Sequence, residues 1–417
     1  MSNEEMLSIL INAYACSPNM GSEPGMAWNW CINLARHCEL YIITEGEFRD
    51  KIEAVLPTLP QGKHMHFYYN PVSEEIRKMC WNQGDWRFYK HYKKWQWKTY
   101  EMAQEIIVKQ HIDIVHQLNM IGFREPGYLW KIDKPFVWGP IGGLKQFPEA
   151  YLKNAPISIQ VFNKIKNKIN IYQLKYQKRV NSALHKSSIL ISSIPDSYQQ
   201  IKRYKRLESI IIPETGCYIT DKLQANSNKY NEPTFKLLWV GKFDFRKQLE
   251  IALRTIALLQ HLPDIQLYIC GVGNKQQTTY YHQLANDLNI QKQIKWCGHR
   301  SNQEILSEMC KAHLFFFTSV SEDTSTVVLE AVSCQLPVLC FNACGFGNVI
   351  NEQVGVKVPL STPQQSINDF AEKITYLFNH RDVLKRMSEN CKARQEELSW
   401  DNKAKQMISL YEKVLSQ

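Results

Sequence analysis

Short apolar runs bounded by turn residues alternate with longer stretches of helical periodicity along this chain, and that alternation restricts its fold more than any other feature. Runs at 7–15, 40–44, 66–69, 112–117, 135–139, 189–194 and 209–213 read as strands, and a second series follows at 235–241, 265–271, 293–298, 314–319 and 337–341. Strands separated by helix-length segments predict α/β architecture with parallel, doubly wound sheets. A length of 417 residues is long for one core, so two Rossmann-like domains are expected. The join falls within 215–232, where Asn226, Ser227, Asn228 and Asn231, with Pro233 just beyond, have linker composition. In open α/β sheets ligands bind beyond the carboxyl ends of the strands, so two such domains are expected to face a cleft.

Composition narrows the class. Hydrophobic residues make up 44% and charged residues 22%, the balance of an ordinary soluble protein. No apolar stretch approaches the roughly 20 residues that span a bilayer. The acidic start, Met-Ser-Asn-Glu-Glu, leads straight into a strand-like run and does not read as a signal peptide. The 12 cysteines are scattered, without a CxxC pair, and several, such as Cys270 and Cys340, sit inside apolar runs. A reduced, cytoplasmic chain without a disulfide framework or zinc site is expected.

The net charge of +10 is unevenly placed: between Tyr151 and Arg206, nine lysines and three arginines stand against Asp196 alone. Such a block points to anionic lipid, nucleic acid or an anionic ligand, or else to a solvated helical face. Trp81 to Tyr100 also stands apart, with Trp81, Trp86, Phe88, Tyr89, Tyr92, Trp95, Trp97 and Tyr100 set among Arg87, Lys90, Lys93, Lys94 and Lys98. Aromatic rings with basic neighbours suit an interfacial helix, a core helix with a basic exposed side, or a surface for single-stranded nucleic acid.

Two constellations carry chemistry. The apolar run Leu314-Phe315-Phe316-Phe317 leads into Ser321-Glu322-Asp323-Thr324-Ser325, and a helix is expected to begin near Thr324 or Ser325. Free N–H groups at a helix start hold anions, and carboxylates such as Glu322 and Glu330 accept bonds from sugar hydroxyls. The run 235–240 ends at Gly241-Lys242, with Arg246 and Lys247 close behind, cations suited to a diphosphate.

With these motifs the chain resembles the retaining, family 4-type glycosyltransferases of the GT-B fold. That family has a Gly-Arg-x-x-x-x-Lys loop and a Glu-x7-Glu motif in its donor site; here they read Gly241-Lys242…Lys247 and Glu322…Glu330. The resemblance runs over nearly the whole chain and implies an acceptor-side domain at 1–215 and a nucleotide-sugar donor domain at 216–397. Residues 398–417, beginning at Leu398-Ser399-Trp400-Asp401, look like the family's closing motif, whose helix returns to the first domain. The resemblance implies that Lys242 and Lys247 hold the diphosphate, Glu322 the transferred sugar and Glu330 the ribose, with the backbone of Thr324, Ser325 and Thr326 turned toward sugar and phosphate. Gly21, in the loop Gly21 to Gly25, is placed against the donor phosphates. His116 matches a histidine near the anomeric centre, so His116, Glu322 and Lys247 form the implied catalytic set.

Lys242 departs from the commoner arginine, losing its planar fork, and Glu322-Asp323-Thr324-Ser325 replaces Glu-Gly-Phe-x. Asp323 is read either as a helix N-terminal charge, the favoured reading, or as a further hydroxyl ligand. Glu23, Arg124, Gly142 and Gly143 lie on loops after strands and are acceptor-side candidates; the paired glycines permit close backbone approach or serve a turn. No Asp-x-Asp occurs, so no protein-held metal or cofactor is expected.

The expected reaction moves a sugar from a UDP- or GDP-sugar to a lipid-linked or saccharide hydroxyl, in bacterial surface polysaccharide or glycolipid assembly. The expected setting is an anionic membrane surface at the inner face of the plasma membrane, with no nucleic acid partner. A non-catalytic nucleotide-sugar-binding paralogue and a sugar-nucleotide epimerase of the same fold are the alternatives.

Overall fold

The computed structural model describes residues 6–82, 85–153, 155–218 and 227–416. The acidic start at residues 1–5 and Asn226 of the expected linker lie outside them. The chain divides into two compact units: Met1–Leu144 with Lys168–Glu214 and Trp400–Gln417, and Lys145–Asn167 with Thr215–Ser399.

Among the described residues, the first unit is built on seven strands: β1 (Leu7–Ala13), β2 (Cys38–Thr44), β3 (Met65–Tyr69), β4 (Ile114–Asn119), β5 (Phe136–Ile141), β6 (Ile189–Ser192) and β7 (Ile210–Ile211). They form one parallel sheet in the order β3-β2-β1-β4-β5-β6-β7. Successive side chains of a strand face opposite sides, and both sides of a parallel sheet are covered. Ile9, Ile11 and Ala13 of β1 therefore enter one core, which the helix Ser22–Leu34 closes, and Leu10 enters another with Ala103, Ile106 and Leu184. Full burial of each such side chain contributes about 1.5–3 kcal/mol, which explains the unbroken apolar runs in the sequence.

The last helix, Trp400–Leu415, belongs to this unit. Trp400, Ala404, Met407 and Tyr411 recur at helical spacing and form its buried stripe. Trp400 meets Trp30 edge-on, with centroids 5.7 Å apart, and the buried Lys403 Nζ donates to the Pro213 carbonyl at 2.6 Å.

The described residues of the second unit form six strands: β8 (Phe235–Val240), β9 (Ile265–Cys270), β10 (Ile294–Gly298), β11 (Leu314–Phe317), β12 (Val338–Phe341) and β13 (Gly355–Val358). Their order is β10-β9-β8-β11-β12-β13, again parallel. Strand β13 is not among the expected runs, because four residues that include Gly355 and Lys357 give little apolar signal. Residues 145–167 join this unit, whereas the expected division at 215/216 leaves them with the first. Phe147, Tyr151 and Leu152 enter the second unit's core: Phe147 stacks on Phe245 and the Tyr151 hydroxyl lies 2.6 Å from Ser366 Oγ.

The basic block holds the helix Ile157–Tyr176, which buries only Asn170 and Leu174 and leaves Ile157, Phe162, Tyr172 and Tyr176 more than 60% exposed. Among the described residues, no helix is long and apolar enough to cross a membrane.

Candidate functional site

Where strand order reverses in an open parallel sheet, neighbouring connections leave on opposite faces and open a crevice beyond the carboxyl ends. In the second unit that point lies between β8 and β11. The loop leaving β8 supplies Gly241 to Lys247, and the loop leaving β11 supplies Thr318 to Ser325.

These loops are tied to each other. The Val320 N–H donates to the Arg246 carbonyl at 2.9 Å, Thr318 Oγ1 donates to the Lys247 carbonyl at 2.7 Å, and Trp239 Nε1 donates to Thr318 Oγ1 at 3.0 Å. The result places Lys247 Nζ 2.7 Å from Glu322 Oε1, and both side chains are mostly buried. Ser319 Oγ lies 3.2 Å from the same carboxylate oxygen, and the Lys247 ammonium sits 4.9 Å from the Phe317 ring centroid. An ion pair this enclosed is poorly screened, and losing either member strands the other charge.

Lys242 has a different setting. Its side chain is exposed, whereas Lys247 is held in the floor. Arg246 pairs with Asp244 at 2.9 Å, and Asp244 also caps the turn Phe245–Lys247 by accepting from the Arg246 N–H. Three glycines line the adjoining strand ends, because Gly241, Gly271 and Gly298 follow or close β8, β9 and β10. A Cβ on Gly271 would stand 1.8 Å from the Gly241 carbonyl oxygen, so only glycine fits there. Gly271 is not among the residues singled out from the sequence, although a glycine directly after an apolar strand is the same signal that marks Gly241.

The helix expected at Thr324 or Ser325 runs Thr326–Ser333 with Ser325 at its N-cap, although no side-chain capping bond forms. Thr324 and Ser325 are buried and Thr326 is exposed. Asp323 is paired with Lys145 Nζ at 3.1 Å, which departs from the favoured reading of a helix N-terminal charge. Glu330, on the fifth residue of the helix, accepts from Asn302 Nδ2 at 2.9 Å, and burial pushes its carboxyl pKa up. Lys247 and Glu322 are thus brought into contact, while Glu330 occupies a separate polar position held by Asn302. Gly345 carries the next connection close: its N–H faces the Asp323 carbonyl at 3.3 Å, and a Cβ there would meet the Thr324 backbone at 2.7 Å.

In the first unit the order reverses between β1 and β4. β4 extends to Asn119 rather than ending at His116, so His116 sits inside the sheet. It is fully buried; its Nδ1 lies 2.6 Å from the Tyr411 hydroxyl and its Nε2 2.7 Å from the Gly139 carbonyl. Burial drives its pKa down to about 4, against the Gly139 bond. Both ring nitrogens are occupied and the ring is neutral, so the implied role near the anomeric centre is corrected to a packing role beneath the last helix.

The carboxyl end of β4 is instead closed by amides. Asn12 Nδ2 donates to Gln96 Oε1 at 2.6 Å and Gln117 Oε1 at 2.8 Å, and Gln117 Nε2 donates to the Asn119 carbonyl at 2.9 Å.

The acceptor-side candidates lie around this end. Glu23 accepts from the Ile121 N–H at 3.2 Å, and the Gly142 N–H donates to the Ile121 carbonyl at 2.7 Å, so both hold the segment after β4. Gly143 has φ of +79°, the left-handed region that favours glycine, and its carbonyl accepts from Asn170 Nδ2 at 3.3 Å. Arg124 is tied to Gln173 and Asn170, and burial lowers its pKa. Gly21 is exposed with open space around it at the N-cap of Ser22–Leu34. Gly25, by contrast, is packing: a Cβ would lie 1.8 Å from the Met20 carbonyl oxygen.

The aromatic stretch divides into a buried and an exposed set. Phe88, Tyr92 and Trp95 are buried with Tyr14 in a cluster of their own, while Trp81, Trp86, Tyr89 and Trp97 are exposed.

Comparison with known proteins bears on the second unit's segment and on the fold. A family model described as glycosyl transferases group 1 matches residues 221–394, the segment that holds Gly241, Lys247, Glu322 and Glu330. An uncharacterized glycosyltransferase of Methanocaldococcus jannaschii is 26% identical over 266 residues, covering 60% of this chain and 71% of that protein. Further curated relatives align over less than half of their own length. Among solved structures, sucrose-phosphate synthase of Thermosynechococcus elongatus superposes with a TM-score of 0.64 at 18% identity, covering 98% of this chain and 99% of that one. HepE of Anabaena, in complex with UDP, gives 0.63 at 13% identity over 98% of this chain and 100% of that one. The protein is a glycosyltransferase, and its two parallel-sheet units have the GT-B fold.

Proposed function

We propose that the protein transfers a hexose from a nucleoside-diphosphate sugar, with uridine as the nucleoside, to an acceptor hydroxyl with retention of anomeric configuration. The observation that carries this reading is the Lys247–Glu322 pair at the carboxyl ends of β8 and β11, inside the segment matched by the family model. Lys247 Nζ is an ammonium donor for the departing diphosphate, and Glu322 is an acceptor for sugar hydroxyls. In the absence of donor each satisfies the other, so the pocket is kept charged without an unpaired buried ion. Glu330, whose pKa burial raises, takes the ribose hydroxyls, with Asn302 fixing its orientation. Gly241 and Gly271 let backbone approach the phosphates. The leaving diphosphate is stabilised by Lys242, Lys247 and the helix start at Thr326 rather than by a protein-held metal, and its oxygen takes the acceptor's proton.

Uridine is favoured because the fold neighbour HepE was solved with UDP, with UDP and glucose, and with UDP-glucose. The second unit would bind the donor and the first the acceptor. The acceptor is a saccharide or lipid-linked hydroxyl in surface polysaccharide or glycolipid assembly, reached by a cytoplasmic enzyme resting on an anionic membrane. Exposed Trp86, Tyr89 and Trp97 among lysines, and the exposed apolar face of Ile157–Tyr176 with its lysines, support that setting.

A thermal-shift panel of UDP-, GDP- and ADP-glucose tests the donor. A ligand at 100 times its Kd adds about 2.7 kcal/mol to the folded state. UDP-glucose should raise the midpoint most; no shift with any of the three would overturn the reading. The anomeric configuration of the product, read by NMR, tests retention.

A further inference from the structure

On the first unit, an open surface hollow of about 330 Å³ is lined by Lys90, Lys93, Lys94, Trp97 and Tyr128. Lys90, Lys93, Lys94 and Trp97 belong to the helix Phe88–Lys109, where spacings of three, four and seven put them on one face. The opposite face is fixed, because Phe88, Tyr92, Trp95, Gln96 and Thr99 are buried. The cationic face therefore cannot turn inward.

The aromatic wall is ordered. Trp97 and Tyr128 meet edge-on with centroids 5.1 Å apart, and Trp97 Nε1 donates to Glu101 at 2.7 Å. More positive charge surrounds it: Lys131 Nζ lies 5.6 Å from the Trp97 ring centroid and the Arg179 guanidinium 5.3 Å from that of Tyr128. Glu125, the acid that feels Lys93, is engaged by Arg179. Among the described residues, no carboxylate forms an ion pair with Lys90, Lys93 or Lys94. Three ammonium groups close together on one helix face repel each other, and an anion relieves that repulsion. A ring wall beside them suits the apolar face of a sugar or a lipid chain.

The same helix reaches the carboxyl end of the sheet. Tyr92 OH accepts from the Met120 N–H at 3.1 Å, and Gln96 belongs to the amide group at Asn12 and Gln117. The cationic face thus begins on the very turns that hold the end of β4.

We propose that this pocket binds the phosphate or diphosphate of the acceptor, with Lys90, Lys93 and Lys94 as the anion ligands and Trp97 and Tyr128 packing against the group attached to it. This rests on the glycosyltransferase reading and gives its acceptor a chemical class, a phosphate-bearing molecule. A phosphoglycolipid and a soluble sugar phosphate carry that group alike.

Lysine acetylation followed by mass spectrometry tests it on the whole protein, with UDP added to fill the donor site. Three arms are compared: inorganic pyrophosphate, vesicles of phosphatidylglycerol and vesicles of phosphatidylcholine. Pyrophosphate should slow labelling at Lys90, Lys93 and Lys94 relative to Lys98 and Lys109 of the same helix. In Lys93→Ala/Lys94→Ala, the concentration that protects Lys90 should rise about tenfold, the loss expected for two exposed charge-assisted bonds.

If phosphatidylglycerol vesicles protect as well and phosphatidylcholine vesicles do not, the phosphate is also taken from a lipid headgroup. If pyrophosphate alone protects, the acceptor is soluble. Protection spread evenly over Lys98 and Lys109, no protection at all, or protection by phosphatidylglycerol with pyrophosphate inert, each overturns the pocket. The UDP thermal shift in the same samples reports the donor reading separately, so failure of one is distinguishable from failure of the other.

Discussion

The two sheets reverse their strand order in the same way and end in opposite chemistry. At β8 and β11 the loops carry an ion pair, Lys247 with Glu322, between a shelf of glycines and a helix start. At β1 and β4 the corresponding ends are closed by neutral amides, Asn12, Gln96 and Gln117, each at most 1% exposed. The space is shut by Gly127, φ +62°, where a Cβ would come within 2.4 Å of Gln117 Oε1 and 2.7 Å of Gln96 Oε1. Topology supplies a crevice in both places, and side chains decide which one takes a charged ligand. An amide group contributes directional bonds and no net charge, so it suits a position that must hold its shape. In the proposed reaction the ion pair exchanges partners with a phosphate and a sugar.

The largest expected effect breaks the comparison at its charged end. Lys247→Ala removes the donor for the leaving diphosphate, and turnover should fall about 10²–10³-fold, the loss typical of one transition-state donor. It also strands Glu322, so Glu322→Gln in the same background should recover part of the lost thermal stability but none of the turnover. Steady-state rates and melting midpoints of the single and double variants check both halves. A Lys247→Ala enzyme that turns over normally would remove Lys247 from the mechanism.

Next in size is a property the two units share. His116 in the first and His313 in the second are fully buried and neutral, and burial pushes each down to about 4. His313 is held between the Lys236 N–H at 3.1 Å and the Lys229 carbonyl at 2.6 Å. The unfolded state binds these protons first, with an unperturbed pKa of about 6.5. Stability is therefore intact above pH ~6.5 and declines as pH falls toward ~4, by up to roughly 3 kcal/mol for each histidine. Urea titrations from pH 7 to pH 4.5 should show the loss, and His116→Gln should flatten the slope of the first unit alone. An unchanged slope would mean that His116 does not titrate with unfolding.

Much of this was legible beforehand. All but one of the strands were marked by apolar runs, because a parallel sheet buried on both faces leaves an unbroken signal, and β13 escaped because it is short and carries Lys357. The Glu322 and Lys247 positions were legible as carboxylate and cation after strands. Their contact was not, since it depends on the register between β8 and β11. His116 misled for a related reason: at the sequence level it closes an apolar run, yet β4 extends to Asn119 and turns the ring toward Tyr411. Segment 145–167 crossed to the second unit through three core side chains, Phe147, Tyr151 and Leu152, and nothing in their local pattern names the core they join. Asp323 precedes the helix start in sequence, but its partner Lys145 lies far away in sequence and nothing local points to it.

A smaller effect sharpens the comparison from the amide side. Gln117→Leu leaves Asn12 Nδ2 with Gln96 alone and removes the bond to the Asn119 carbonyl, at a cost of about 1–3 kcal/mol. In a unit of this size each kcal/mol lowers the midpoint by about 2–4 °C. UDP affinity should not change, because the group carries no ligand charge. A variant of normal stability with weakened UDP binding would reverse the assignment of the two strand ends.

The smallest effect compares two cations of one loop. Lys242 is exposed and Lys247 mostly buried, yet both follow Gly241 within seven residues. An exposed ammonium interacts through solvent and is screened by salt, with a contribution of about 0.2–1 kcal/mol. Lys242→Ala should therefore weaken UDP binding by about 1.4- to fivefold at low ionic strength and by less at high salt. Lys242→Arg should restore binding and retain it better in salt, because the guanidinium fork can grip two phosphate oxygens at once. Titration calorimetry with UDP at two salt concentrations separates the cases. A loss as deep as that of Lys247→Ala, insensitive to salt, would show that Lys242 is drawn into the same enclosed site when the nucleotide binds, and that the loop after β8 closes over it.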